Sequence, residues 1–463
     1  MARTYCSTCH LFPEPDLLPR SVWLERVLPE MGLRMGIGDR HVVLERMSFG
    51  QFDDLCRKGI YPEAALLEYS DWRKIEAYYR EESPETLKPD TGVKISTVTV
   101  NPFSIQTVMQ PAGKAPNVTM VRFMKSTGDI WVGNGDNELT IYDIALNKRR
   151  TIVNIGPIVD VSDRDGPVLL SIGKLHPSED RKGSLYRLDM QSGRSSVMTD
   201  SLHRPVEFKL ADMDSDGFED MVIAEFGFET GGLTLRDGES GKMTTIYNQP
   251  GARSIVLADI NHDGLTDMYV LFAQGREEVV RFINKGGFNF EAKSMLQFSS
   301  VYGNSHLNVR DMNNDGFEDI VLANGDNADY SSVPKPYHGI RIFTNDGRSD
   351  FKQTFFHPVS GATKSLVEDF DGDGDVDIAL ASFFNEAGDD ESFLYFQQES
   401  DGSYSKSKPA IPKGNWLVME AADVDVDGDL DILLGNFQLY KASSGGSVEK
   451  VQIALMRNVS KNK

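Results

Sequence analysis

Residues 369–378 read DFDGDGDVDI, and four close copies of this string occur in the same chain. Aligned on their first aspartate, the five are DMDSDGFED from Asp212, DINHDGLTD from Asp259, DMNNDGFED from Asp311, DFDGDGDVD from Asp369 and DVDVDGDLD from Asp423. Every copy carries an oxygen-bearing side chain at positions 1, 3, 5 and 9, with glycine at position 6. One Asp-Gly cluster alone would be a turn. Five copies with one spacing point to a hard cation, because calcium gathers several oxygens around a point at about 2.3–2.6 Å. Alternate residues of a tight loop face inward, position 7 offers its carbonyl, and the glycine permits the reversal. About five calcium ions are expected. The expected ligands of the first three loops are Asp212, Asp214, Asp216, Phe218 and Asp220; Asp259, Asn261, Asp263, Leu265 and Asp267; and Asp311, Asn313, Asp315, Phe317 and Asp319. Those of the last two are Asp369, Asp371, Asp373, Asp375 and Asp377, and Asp423, Asp425, Asp427, Asp429 and Asp431.

A strand-like run follows each loop, as in DMVIAEF, DMYVLF, DIVLANG, DIALASF and DILLGNF. A repeat near fifty residues with about four strands per unit is the signature of a propeller blade. Two earlier units, VTMVRFMKSTGDIWVGNGDNELTIYDI and VDVSDRDGPVLLSIGKLHPSEDRKGSLYRLD, keep the strand pattern without a good loop. The second has Arg164 and Val168 at positions 5 and 9 of its DVSDRDGPV and is expected to bind no ion. The reading is mainly β: a seven-bladed β-propeller over residues 95–463. Residues 93–110 or the C-terminal VQIALMRNV should complete the closing blade.

Residues 1–88 have a different texture. PDLLPRSVWLERVLPEMG has helical spacing of apolar residues, with Asp16 as a candidate N-cap, and LLEYSDWRKIEAYYREES predicts a second helix capped by Ser70 or Asp71. A small α-helical domain over 1–88 and a linker over 89–94, flanked by Pro84 and Pro89, complete the organisation.

The 463 residues carry 48 Lys and Arg against 70 Asp and Glu, a net charge of −22. That balance excludes a nucleic-acid partner, whose phosphates need a basic face. No run of about 18 apolar residues is present, so no membrane-spanning helix is expected. Three cysteines exclude a dense disulfide framework. Lone Cys56 reads as a small buried thiol. No Ser-His-Asp order, phosphate loop or paired glycosidase carboxylates stand out, so no catalytic constellation is assigned.

The repeated loops and their following strands resemble the FG-GAP/VCBS repeat family of calcium-dependent propellers, also found in integrin-type heads. The resemblance covers about residues 95–460. It implies a fold and a metal but no single function, since such propellers bind proteins, glycans or small molecules.

Residues 6–10 read CSTCH. C-x-x-C-H is the attachment pattern of haem c, in which two thiols bond the porphyrin and the histidine ligates iron. A redox disulfide, a zinc site completed by Cys56 or His41, and coincidence are the rival readings. Residues 1–88 resemble a short class I cytochrome c that lacks the helix before the cysteine pair. The resemblance implies that Cys6 and Cys9 hold one haem, that His10 is its proximal ligand, and that a methionine is the sixth. Met31 is favoured in a Pro-Glu-Met-Gly turn, with Met35, Met47 and His41 as alternatives. The start MARTYCSTCH has no apolar signal core. Haem attachment and calcium loops both suit an extracytoplasmic site, so an exported chain with its leader removed is expected.

Long loops joining second to third strands should form the ligand face. Gln274, Asp326, Asn327, Asp329, Tyr330, Tyr337 and His338 are its candidate residues, with His203 and Arg204 as weaker ones. They could hold a sugar, a peptide or the helical domain itself. The whole arrangement looks like the bacterial VCBS-repeat proteins that carry an N-terminal cytochrome-like segment. The expected function is electron transfer by a haem protein fused to a docking propeller. The alternatives are a non-redox binding scaffold for protein or glycan, and a propeller oxidoreductase that passes electrons to the haem. The redox partner or ligand is unspecified.

Overall fold

The computed structural model describes residues 1–90, 92–98, 102–111, 113–164, 166–326, 333–348, 350–384, 391–438 and 450–460. Seven antiparallel sheets follow one another along the chain. Their innermost strands are Val118–Met124, Ile158–Ser162, Pro205–Ala211, Ala252–Ala258, Asn304–Arg310, Ala362–Glu368 and Trp416–Ala422, which begin blades one to seven in that order. Each packs beside the next, and blade seven meets blade one, closing the ring.

Second strands such as DMVIAE, DIVLAN, DIALAS and DILLGN are buried at every position. A strand covered on both faces reads as a continuous apolar run instead of an alternation. Outer strands face solvent and read accordingly; KRRTIV, at Lys148–Val153, is buried only at Ile152. The closing blade uses both expected segments. Val451–Asn458 is its third strand, and Phe103–Met109, from the other end of the propeller sequence, pairs with it as the fourth. Residues 93–98 do not close the ring: Ser96–Thr97 runs parallel to Tyr404–Ser407 and adds a fifth strand to blade six.

Carboxylates of the inner strands clasp neighbouring blades. Glu420 of blade seven accepts the Phe123 N–H of blade one at 2.6 Å. Asp160 of blade two accepts Phe208 N–H of blade three at 3.1 Å, and Glu207 of blade three accepts Ile255 N–H of blade four at 2.6 Å. Arg122 bridges Asp160 and Glu420 at 2.5 and 3.3 Å.

The N-terminal segment is helical from Ala2 to Glu82, with breaks. The first long helix starts at Arg20, not near Asp16. Leu18 precedes Pro19 and is extended, at φ −137° and ψ 154°, as a pre-proline residue prefers. Five residues of this helix, Trp23–Val27, are wound as π-helix, and the helix continues through Leu28–Arg34. The second predicted helix spans Tyr69–Glu82, and neither Ser70 nor Asp71 caps it: Glu68 is the N-cap and makes no side-chain cap bond. Trp23, Trp72, Ile75 and Tyr79 fill the core of the segment, the Trp23 and Tyr79 rings lying 4.6 Å apart. These elements establish a helical segment; they do not by themselves establish a cytochrome c fold.

Candidate functional site: the aspartate loops and the covered face

All five loops share one bonding scheme. The first aspartate accepts the glycine N–H of position 6, at 3.0 Å in Asp212, 3.0 Å in Asp259, 2.8 Å in Asp311, 3.1 Å in Asp369 and 3.1 Å in Asp423. The chain reverses twice to allow this. Position 6 has φ of +84° to +96° across the five glycines Gly217, Gly264, Gly316, Gly374 and Gly428, a region glycine enters without strain. Position 4 is also left-handed, at Ser215, His262, Asn314, Gly372 and Val426.

Val426 is the misfit among them. It is β-branched, holds φ 63° and is 82% exposed. Burial gives it nothing in return for the steric cost of about 1–2 kcal/mol. Val426→Gly is therefore expected to raise stability by about 1 kcal/mol, read as a higher melting temperature at unchanged calcium affinity.

Three loops bring carboxylates of positions 1, 3 and 5 within 4.8 Å of one another: Asp212, Asp214 and Asp216; Asp369, Asp371 and Asp373; Asp423, Asp425 and Asp427. Burial and neighbouring aspartates push Asp214 and Asp371 above the usual carboxylate range. Such crowding is relieved by a cation, so the donor chemistry fits calcium. In the Asp259 and Asp311 loops position 3 is asparagine. Asn261 and Asn313 each donate to the carboxylate two residues on, at 2.9 and 3.0 Å.

Position 9 has a second task that the spacing did not reveal. Asp220, Asp267, Asp319, Asp377 and Asp431 are all fully buried. Each accepts the position 2 N–H on one oxygen, at 2.8 to 3.3 Å. Each accepts an N–H from the third strand or the turn after it on the other, at 2.7 to 2.9 Å. Burial raises Asp377 to about 7 and Asp431 to about 6. These carboxylates tie each loop to its own blade whether or not an ion is bound. At position 7, Phe218, Leu265, Phe317, Asp375 and Asp429 each donate their own N–H to the position 5 carboxylate.

Of the occupants expected for the opposite face, the structure shows the helical domain. The helical segment lies on it across blades two to five. Gln51 donates to Asp180 at 2.8 Å, and Glu229 accepts from Arg34 at 2.5 Å and from Tyr61 at 2.6 Å. Arg276 reaches the Cys9 carbonyl at 3.4 Å, and the Tyr337 hydroxyl lies 3.0 Å from Leu17 O. Tyr337 and His338 are thus not free ligand residues. They are 8% and 1% exposed, and Tyr337 stacks on Tyr302 at 5.0 Å. Two stacked rings with an apolar neighbour, Val301, make a better floor for Leu17 than a water-facing cluster. Asp326 pairs with Arg253 at 3.4 Å, and Gln274 sits half-buried at the hairpin beside Arg276. Asn327, Asp329 and Tyr330 lie outside the described residues. Arg204 is buried and bonded to the carbonyls of Gly227 and Leu175 at 2.5 and 3.0 Å, a staple between two loops, and His203 alone faces a cleft.

Cys6 ends the helix Ala2–Cys6, and all three cysteines are free thiols. Burial raises the Cys6 thiol to about 11, while Cys9 is exposed. His10 Nδ1 lies 2.9 Å from Leu11 O and so carries the proton there, which leaves Nε2 with its lone pair. Burial and the cations Arg276 and Arg34 push His10 below its ordinary value. Met31 and Met35 pack on the same apolar cluster as Cys6; Met47 belongs to another, and His41 is exposed. Met31 sits within the helix Leu28–Arg34 instead of in a turn. Two free thiols and a neutral imidazole with one free nitrogen fit covalent haem. The zinc alternative finds no support here: among the described residues no group of three metal-capable side chains includes Cys6, Cys9, Cys56 or His41. Cys56, expected to be buried, is half-buried and lies 2.8 Å from Arg40 Nη2.

The FG-GAP-like repeat model matches residues 259–322, 311–380 and 369–434. Integrin alpha-4 of Xenopus laevis is 26% identical over 180 residues, 34% of this chain and 17% of that protein. Integrin alpha-PS5 of Drosophila melanogaster is 32% identical over 145 residues, 28% of this chain and 14% of the integrin. Each match thus covers less than a fifth of the relative's length. Among solved structures, the Neurospora crassa Pan2 WD40 domain is 11% identical with a TM-score of 0.48, covering 77% of this chain and 96% of that one. The N-terminal domain of Nup159 is 12% identical with a TM-score of 0.47, covering 79% and 98%. No helix of the described residues is long and apolar enough to cross a membrane. Each repeat match begins on the first aspartate of a loop and ends in the second strand of the following blade, so the similarity to FG-GAP-like repeats runs over residues 259–434 of this seven-bladed propeller.

Proposed function

We propose that the chain is an exported binding scaffold, a propeller stiffened by about five calcium ions that displays its own helical segment on one face. The observation that carries this reading is the fivefold loop scheme, with three aspartate triads each gathered within 4.8 Å. Residues 1, 3 and 5 of each loop would hold the ion, and position 9 would hold the loop to its blade. A ligand that binds only the folded state at a hundred times its dissociation constant adds about 2.7 kcal/mol. Chelation with EDTA is therefore expected to lower the melting temperature by about 10 °C or more relative to millimolar calcium. An unchanged melt would count against the ions as structural elements.

A second reading is favoured by the His10 geometry, in which Nδ1 is engaged and Nε2 has no partner among the described residues. Cys6 and Cys9 would hold one haem c and His10 would bind its iron, with Met31 or Met35 nearest by cluster. The group would supply a one-electron couple, and the scaffold would then present it to a redox partner. Protein made with the haem-attachment machinery is expected to show a reduced α-band that survives acid–acetone extraction. A colourless, folded, calcium-loaded chain would remove this reading and leave the scaffold reading intact.

A further inference from the structure

We infer that the cleft between the helical segment and blades two and three binds a small hydroxylated carboxylate, of the size of one sugar-acid ring. The cleft measures about 350 Å³, within the range of small-ligand sites, which favour the seams between domains. One wall is the helix Phe49–Arg57, through Gly50, Gln51 and Asp54. The other is built from Glu179, Arg181, His203 and Thr230 of the propeller loops. Both walls are fixed. The Gln51 amide donates to Asp180, and Arg204 ties the loops bearing Glu179 and Thr230.

The polar groups are oriented. Glu179 accepts the N–H of Glu229 at 2.5 Å and the hydroxyl of Thr230 at 2.7 Å. The Thr230 proton is thereby spent, so at 3.1 Å from His203 Nδ1 its oxygen accepts the ring N–H. This relay leaves His203 Nε2 as a lone-pair acceptor with no partner among the described residues. Burial and the cations Arg181 and Lys58 hold His203 down at about 4, so the ring is neutral near pH 7. Arg181 is exposed at the same cleft and makes no ion pair with a described residue.

The Arg181 guanidinium feels the Asp54 carboxylate across the cleft but forms no close ion pair with it, so beside an acceptor nitrogen it has room for a ligand with one anionic group and hydroxyl donors. The carboxylate would take Arg181, and a hydroxyl would donate to His203 Nε2. The Asp54 and Glu179 carboxylates on facing walls disfavour a doubly charged phosphate and accept further hydroxyls. Gly50 gives the ring its room: a Cβ placed there would meet no atom within 4 Å.

The site rests on the scaffold reading only through the docked helical segment. The test is calorimetric titration of the full chain in calcium with sodium D-glucuronate, with D-glucose as the uncharged control. Saturable glucuronate binding is expected. Arg181→Gln should weaken it about tenfold or more, and Gly50→Leu should weaken it by filling the cleft, both at unchanged melting temperature. Glucose should bind more weakly than glucuronate. No saturable binding by the folded, calcium-loaded chain overturns the inference and leaves the scaffold reading standing. Binding that both variants retain in full, or equal binding of glucose, overturns it as well.

Discussion

Asp431→Ala is expected to destabilise the protein in EDTA as well as in calcium, whereas Asp371→Ala should do so only in calcium. Asp431 is fully buried and accepts Val424 N–H at 3.1 Å and Asn458 N–H at 2.8 Å. Val424 and Asn458 are 1% and 2% exposed, so water cannot replace the lost acceptor. A buried donor left without a partner costs about 1–3 kcal/mol, and here there are two. A loss of about 2–5 kcal/mol follows before any metal is considered. Asp431→Asn keeps one acceptor oxygen and should lose less. Asp371 works differently. Its carboxylate sits half-buried beside Asp369 and Asp373, whose charges it opposes. Without an ion, removing it relieves repulsion and gives up hydrogen bonds to Asp373 N and Gln397, at 3.2 and 2.5 Å. With an ion, it removes a ligand, and a hundredfold weaker site costs about 2.7 kcal/mol. Melting curves of both variants in calcium and in EDTA separate the two roles. Equal losses for Asp371→Ala in both buffers would deny that loop a metal role.

Glu229→Ala is expected to release the helical segment from the propeller. The carboxylate is 9% exposed and accepts from Arg34 at 2.5 Å and Tyr61 at 2.6 Å, joining the helix Leu28–Arg34 and the bend at Tyr61 to blade three. Tyr61 is itself 3% exposed. Removing one partner of a buried pair costs about 3–5 kcal/mol. Arg34 is 27% exposed and keeps Glu30 at 3.4 Å, which brings the expected cost to about 2–3 kcal/mol. That corresponds to a roughly 30- to 150-fold larger undocked population. Limited proteolysis between residues 84 and 95 reads it directly, because cleavage tracks the open population when reclosing is fast. Unchanged cleavage would mean that Val301, Tyr337 and Arg276 hold the segment without this pair.

The blades were legible because the loop motif repeats with its following strand, and a strand buried on both faces has no choice but to be apolar. The partial illegibility of blade seven has a physical cause. Its outer strand, Phe103–Met109, comes from the far end of the propeller sequence, and pairing across that distance leaves no local mark. The aspartate ligand sets could be written from spacing, but the double backbone role of Asp220 and its four equivalents could not. It depends on an N–H from a third strand about twenty residues away. Which occupant covers the opposite face was not legible for a related reason. Tyr337 and His338 lie in a polar-looking stretch, PKPYHG, yet both are buried, and Tyr337 reaches Leu17 of the docked segment. Glu229, in FGFETGG, looked like an ordinary loop residue until Arg34 and Tyr61 arrived from nearly two hundred positions upstream. Proline placed the first helix boundary at Arg20, a signal present in the sequence but outweighed by Asp16 as a cap.

The most direct test is a metal count on the purified full chain: equilibrium dialysis against calcium followed by elemental analysis. The account predicts about five calcium ions per chain, falling by about one in Asp371→Ala and not falling further when Arg164, in the loop of blade two, is replaced. A folded propeller that retains no calcium would contradict it.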